Sequence, residues 1–194
     1  MTADLAVVIG AATRPGRLAL AARTLEELAR KGRPDAVVTL VDLATTPVEI
    51  CDGRSDEAYG TVTRATVRAI STARAIVFAA PVYRASYPGV LKNLLDLLPI
   101  EALRGKPVGI VAMGASDHHY LGIDSHLRAV LAWFGALVAP TSVYLTGGDF
   151  ESGRLASTAA LEELRALADT VLTLADRVDS ASLGPEPLAA RPRR

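Results

Sequence analysis

The sequence predicts a doubly wound α/β protein built on a parallel five-stranded sheet. Two observations carry this expectation. Five short, β-rich apolar runs recur along the chain, at residues 5–10, 36–41, 75–80, 107–113 and 138–145. Each is about the length of a strand buried on both faces. A longer stretch follows each run, at 17–31, 56–72, 88–98, 118–135 and 158–177, and carries helical spacing. Such alternation reads as a parallel sheet with right-handed crossovers.

The first helix places Leu18, Ala21, Ala22, Leu25, Leu28 and Ala29 on one face. The second follows a loop rich in Thr, Pro, Asp and Gly. The third has Pro88 at a first helical position and Pro99 to stop it. Its apolar stripe of Val90, Leu91, Leu94, Leu95 and Leu98 suits core and subunit contact equally. Residues 179–194 hold three prolines, two serines and three arginines, so they read as a disordered tail behind one domain at 1–178.

The bulk numbers narrow the class. A chain of 194 residues, half of them hydrophobic, suits one globular domain with a sizeable core. Its 21 basic and 21 acidic residues balance, and no basic patch precedes the last few residues, which argues against nucleic acid. The apolar runs are too short to span a bilayer, and the N-terminus lacks the basic start of a signal peptide. One cysteine, Cys51, excludes an intramolecular disulfide and a cysteine metal cluster. Together these predict a cytoplasmic protein.

Ligands in such sheets sit beyond the carboxyl ends of the strands, at the switch point. That picks out loops 10–17, 81–87 and 114–117. In the first, a helix N-terminus offers free N–H groups and a positive dipole end to a phosphate. Arg14 and Arg17 add charge and Thr13 a hydroxyl. The dinucleotide GxGxxG spacing is absent, and no Gly-Lys-Ser/Thr closes the loop. The loop suits a mononucleotide phosphate, or else is a plain turn with solvated arginines. In the second loop Pro81 holds the chain extended, and Tyr83 and Tyr87 supply aromatic surface for a flat heterocycle. Packing is the alternative for both tyrosines and the better one for Tyr87. In the third, Gly114 permits close backbone approach and Asp117 suits a helix cap. His118 and His119 point to different sides of a helix with no third ligand at suitable spacing, and His126 receives no ligand role.

The segment APVYRASYPGVLKNLLDLLP, Ala80 to Pro99, resembles the signature of the NAD(P)H-dependent FMN reductases, in particular the alkanesulfonate and methanesulfonate type. The likeness continues through MGASDHHYLGIDSHLRAVLAWFGA, Met113 to Ala136, through SVYLTGGDF, Ser142 to Phe150, and through RPGR, Arg14 to Arg17. It covers about residues 5 to 177. The resemblance implies a flavodoxin-like three-layer sandwich with strand order 2-1-3-4-5. It implies a phosphate loop containing Gly10, Thr13, Arg14, Pro15, Gly16, Arg17 and Leu18. Pro81, Val82, Tyr83, Arg84, Ala85 and Ser86 would form the isoalloxazine loop, and Gly114, Ala115 and Ser116 a second flavin loop. FMN and either NADPH or NADH are the implied cofactors, with hydride passing directly between them and no catalytic side chain. A homodimer or homotetramer is implied, with the helices starting at Pro88 and His118 in the contact. A partner monooxygenase would consume the reduced FMN.

The chain departs from that pattern. Ala11, Gly16 and Leu18 stand where hydroxyl residues are usual, and Ala115 stands for a second glycine. The sulfonate branch carries a one-residue insertion that falls near Ser125, which predicts a π-bulge in the fourth helix. The alternatives are a flavin-retaining quinone, azo or metal-ion reductase, a flavodoxin-like electron carrier, which the zero net charge disfavours, and a flavin-free interaction protein.

Overall fold

The computed structural model describes residues 2–13, 16–179 and 183–185. Arg14, Pro15 and most of the expected tail lie outside the described residues. The chain runs β1 (Leu5–Ile9), α1 (Arg17–Gly32), β2 (Val38–Asp42), α2 (Thr61–Thr72), β3 (Ala75–Pro81), α3 (Gly89–Leu97), β4 (Pro107–Met113), α4 (Gly122–Phe134), β5 (Leu137–Val138), β6 (Val143–Leu145), β7 (Phe150–Glu151), β8 (Arg154–Leu155) and α5 (Thr158–Arg177). All pairings in the main sheet are parallel and follow the order β2-β1-β3-β4-β5, with β6 also paired to β4. That order is the flavodoxin-like one, with its switch point between β1 and β3.

Both sheet faces are covered, which is why the central strands are apolar at every position. Successive residues of a strand point to opposite faces. Leu5, Val7 and Ile9 therefore pack under α1 and α5, with Leu25, Leu164 and Val171. Ala6 and Val8 pack with Phe78 under Leu91, Leu94, Ile123 and Leu127 on the other side. Leu91, Leu94, Leu95 and Leu98 of the α3 stripe are core, and Val90 packs against them half-buried. Each fully buried leucine contributes about 1.5–3 kcal/mol, so burying this stripe is what docks the short α3.

Three differences from expectation stand out. The fifth strand is two short pieces, because the chain leaves the sheet at 139–142. Pro140 has no N–H for a ladder, and its carbonyl instead accepts from Arg128 Nη2 at 3.1 Å while Arg128 Nε donates to Asp124 at 2.7 Å. The second and fourth helices start late, at Thr61 and Gly122, each preceded by a separate 3₁₀ turn, at Asp56–Ala58 and Asp117–His119. The third is that α4 is α-helical throughout, without the bulge expected near Ser125. The Ser125 N–H donates to Leu121 O at 3.1 Å and its Oγ donates to the same carbonyl at 2.9 Å, so the i−4 ladder has no spare residue there.

At the amino end of the sheet, side chains tie five elements together. Arg74 donates to Asp4 Oδ1 at 3.0 Å and to Asp176 Oδ1 at 2.9 Å. Arg33 pairs with Asp176 and donates to Thr173 Oγ1 at 2.9 Å. Asp4 Oδ2 accepts the Val37 N–H at 2.9 Å. Among the described residues no helix is long and apolar enough to cross a membrane.

Candidate functional site

Three loops leave the carboxyl ends of β1, β3 and β4 from a common rim. Gly10 N–H donates to Ala79 O at 2.7 Å, Val82 N–H to Met113 O at 2.8 Å and Gly114 N–H to Leu145 O at 2.9 Å. The ladder thus continues one residue past each strand, and the loops start from fixed points.

The first loop enters α1 at Arg17. Gly16 precedes it with no side-chain cap, and the first turn holds no acid. Its N–H groups therefore keep their positive end open to an anion. In α5, by contrast, Ser157 Oγ accepts the Ala160 N–H at 3.3 Å. A cavity of about 350 Å³ lies here, lined by Ile9, Ala11, Thr13, Gly16, Arg17, Leu18, Ala19, Asp42, Pro81 and Met113. Leu18 is buried in the α1–α5 core and offers only an apolar wall. Gly10 is needed for packing, since a Cβ there would lie 2.9 Å from Leu91 Cβ. Arg17 reaches across to the loop after β6, with its Nη1 3.1 Å from where a Cβ on Gly147 would sit. That loop is closed on itself: Thr146 N–H donates to Asp149 Oδ2 at 2.7 Å and Gly148 N–H to Thr146 Oγ1 at 3.3 Å.

The second loop is a tight two-residue turn. Tyr83 and Ser86 exchange backbone hydrogen bonds of 2.8 and 3.0 Å. Arg84 and Ala85 between them have φ of +51° and +60°. Such turns favour glycine or asparagine, and the left-handed conformation costs an ordinary residue about 1–2 kcal/mol. Backbone strain of this kind persists where surrounding structure enforces it, and it clusters at binding sites. Gly122 at the start of α4 backs the turn, because a Cβ there would come 3.1 Å from Ala85 O. Tyr83 is 44% exposed, whereas Tyr87 packs on the core.

The third loop rests on Tyr144 of β6. Tyr144 Oη donates to Ser116 O at 2.6 Å. A Cβ on Gly114 would lie 1.8 Å from that hydroxyl, so only glycine admits it. The Tyr120 ring meets Tyr144 edge-on, with centroids 6.1 Å apart. Burial, aided by the nearby Asp117 charge, raises the Tyr144 pKa and keeps the hydroxyl a donor. His118 Nδ1 lies 3.3 Å from Ser116 Oγ. Asp117 opens the 3₁₀ turn and does not cap α4, whose preceding residue is Leu121. Among the described residues no group of three or more His, Cys, Asp or Glu is placed to hold a metal ion.

The structure brings Thr13, Gly16, Arg17, Leu18 and Pro81 around one cavity, with Tyr83 to Ser86 on the same strand end and Gly114 next to the cavity-lining Met113. Sequence reasoning missed Tyr144, Gly147 and Asp42. Asp42 ends β2 beside Ile9 and is only 7% exposed. Its Oδ1 accepts the Ala44 N–H at 3.0 Å, while Oδ2 is buried with no partner among the described residues. The only sequence signal is a lone acid directly after the apolar run at 36–41.

An uncapped helix N-terminus with a hydroxyl and a guanidinium suits a phosphate, and the adjoining Pro81 and Met113 walls with the strained turn suit a flat ring. The donor set fits a flavin mononucleotide. Such a helix end at the switch point of this topology is the arrangement a mononucleotide-binding protein would need.

Comparison with known proteins narrows this class. Residues 3–151 match the family described as NADPH-dependent FMN reductase. The chain is 33% identical to an FMN reductase (NADPH) of Pseudomonas aeruginosa, over 90% of this chain and 94% of that protein. It is 40% identical to an NAD(P)H-dependent FAD/FMN reductase of Geobacillus thermodenitrificans, over 57% of this chain and only 60% of that relative's length. The crystal structure of an oxidoreductase from Corynebacterium diphtheriae superposes with a TM-score of 0.77 at 26% identity, covering 92% of this chain and all of that one. The chain belongs to the NADPH-dependent FMN reductase family.

Proposed function

We propose that this chain is a cytoplasmic NAD(P)H-dependent FMN reductase whose reduced flavin leaves to serve a partner monooxygenase. The observation that supports this most is the cavity at the open α1 N-terminus, set beside a strained turn on the adjacent strand end. Bound FMN supplies the two-electron acceptor that takes hydride from the nicotinamide. Thr13, Arg17 and the first-turn N–H groups would hold its phosphate, together with Arg14, Pro15 and Gly16 of the same loop. The enforced turn at Tyr83–Ser86 presents backbone groups in a fixed direction to the ring edge. Gly114, Ala115 and Ser116, held by Tyr144, border the other side. Arg84, exposed in that turn, would steer a nucleotide phosphate. No side chain is asked to move a proton.

The partner reading is supported by the resemblance to the sulfonate-type reductases and by Ala11, Gly16 and Leu18, which deny the phosphate three hydroxyls. A hydrogen bond to a charged group contributes about 1.5–3 kcal/mol, so their loss favours exchange over retention. Tyr120, Leu121 and Trp133, exposed around α4, suit the subunit contact of a homo-oligomer.

The test is NADH and NADPH oxidation by purified protein with and without free FMN. Turnover that needs added FMN and saturates with it is expected. Turnover by yellow protein without added FMN would instead mark a flavin-retaining oxidoreductase. Absence of both turnover and FMN binding would sink the enzyme reading.

A further inference from the structure

We infer that Asp42 weakens flavin phosphate binding, as a carboxylate oxygen unpaired among the described residues and built into the phosphate cavity. The inference rests on the flavin reading above. Asp42 stands one strand from the phosphate loop, in register with Ile9, and lines the same cavity as Thr13, Gly16 and Arg17. Main-chain and side-chain hydrogen bonds anchor it. Its backbone carbonyl accepts from Thr45 N–H at 3.1 Å and Thr46 N–H at 2.8 Å, and its Oδ1 accepts from Ala44 N–H at 3.0 Å. Among the described residues Oδ2 has no donor to neutralise it, although the residue is more than nine-tenths buried.

A carboxylate removed from solvent acts on a neighbouring charge with little screening. A phosphate arriving at the α1 N-terminus meets attraction from Arg17 and the helix end, and repulsion from Asp42. The ring and the ribityl chain carry no charge and do not feel that opposition. Asp42 therefore lowers affinity for FMN selectively against riboflavin, and brings the two closer together than the rest of the cradle would allow. For an enzyme that must let its flavin go, the carboxylate is a release device.

Asp42→Asn separates charge from structure, because its Oδ1 still accepts the Ala44 N–H. Flavin fluorescence titrations of wild type and variant, with FMN and with riboflavin at low and physiological salt, read the effect. FMN should bind the variant about tenfold more tightly while riboflavin changes less than about twofold, as expected for removing one like charge near a dianion. The gain should shrink as salt rises. If Asp42→Asn folds poorly, Asp42→Ser retains an acceptor for Ala44 and should show the same phosphate-selective gain. Equal changes for both flavins, or weaker FMN binding, would overturn the inference while leaving the flavin reading intact. Wild-type protein that binds neither flavin would overturn both.

Discussion

The two ends of the sheet handle charge differently. At the amino end Asp4, Arg74, Asp176 and Arg33 form a continuous chain of ion pairs that joins β1, β3, α1 and α5. At the carboxyl end α1 starts without a cap, two non-glycine residues sit at positive φ, and a buried carboxylate oxygen lacks a described partner. At the first end these charged groups pair with one another. The other holds its polar groups open, at a cost in stability, for something that is not part of the chain. Such unsatisfied features are expected where a fold serves a ligand.

The contrast can be broken most severely at Gly114. Gly114→Ala puts a methyl into the Tyr144 hydroxyl, so the third loop must shift. We expect FMN KM to rise more than about tenfold and stability to fall by about 1–3 kcal/mol, read by steady-state kinetics and urea unfolding. Arg17→Ala should weaken FMN about tenfold to a hundredfold, the loss of one charge-assisted bond, and leave riboflavin binding unchanged. Unaltered FMN affinity would remove Arg17 from the phosphate site. Ala85→Gly relieves one left-handed residue and should stabilise the protein by about 1 kcal/mol; a loss of stability in urea would show that the turn is not strained.

The amino end should answer to pH instead. The Val37 N–H and Arg74 hold the Asp4 carboxyl below its ordinary range, and Arg33 and Arg74 do the same for Asp176. A lowered folded pKa means stability that is present above the unfolded value, near the ordinary 3.8, and lost as pH falls through the folded one. Arg74→Ala should therefore move the acid-unfolding midpoint upward. At neutral pH the cost should be small, because these pairs are solvent-exposed. FMN binding should not change. An effect on flavin affinity would mean that the two ends are coupled.

Much of this was legible in the chain, and the failures are instructive. The runs and their helices are visible because a sheet buried on both faces needs near-continuous apolar strands. The rim loops follow from the topology. The turn at Arg84 and Ala85 was not legible, since neither is the glycine or asparagine that marks such turns, and Gly122, which leaves room for it, is distant in sequence. Asp42 was hidden because what matters about it is a missing partner, which only assembled neighbours reveal. Tyr144 meets Ser116 across 28 positions of sequence, beyond any local pattern. Near Ser125 the resemblance predicted a bulge, whereas the residue itself continues the regular ladder.

The break at Pro140 has a consequence for the molecule in a crowded solution. A continuous last strand would offer a row of free N–H and C=O groups to any neighbouring chain, a template for strand addition and aggregation. Here the edge is split into Leu137–Val138 and Val143–Leu145. Between them Pro140 has no N–H to give, and its carbonyl is already taken by Arg128. This border of the sheet, opposite β2, thus gives a second molecule only short stubs on which to build.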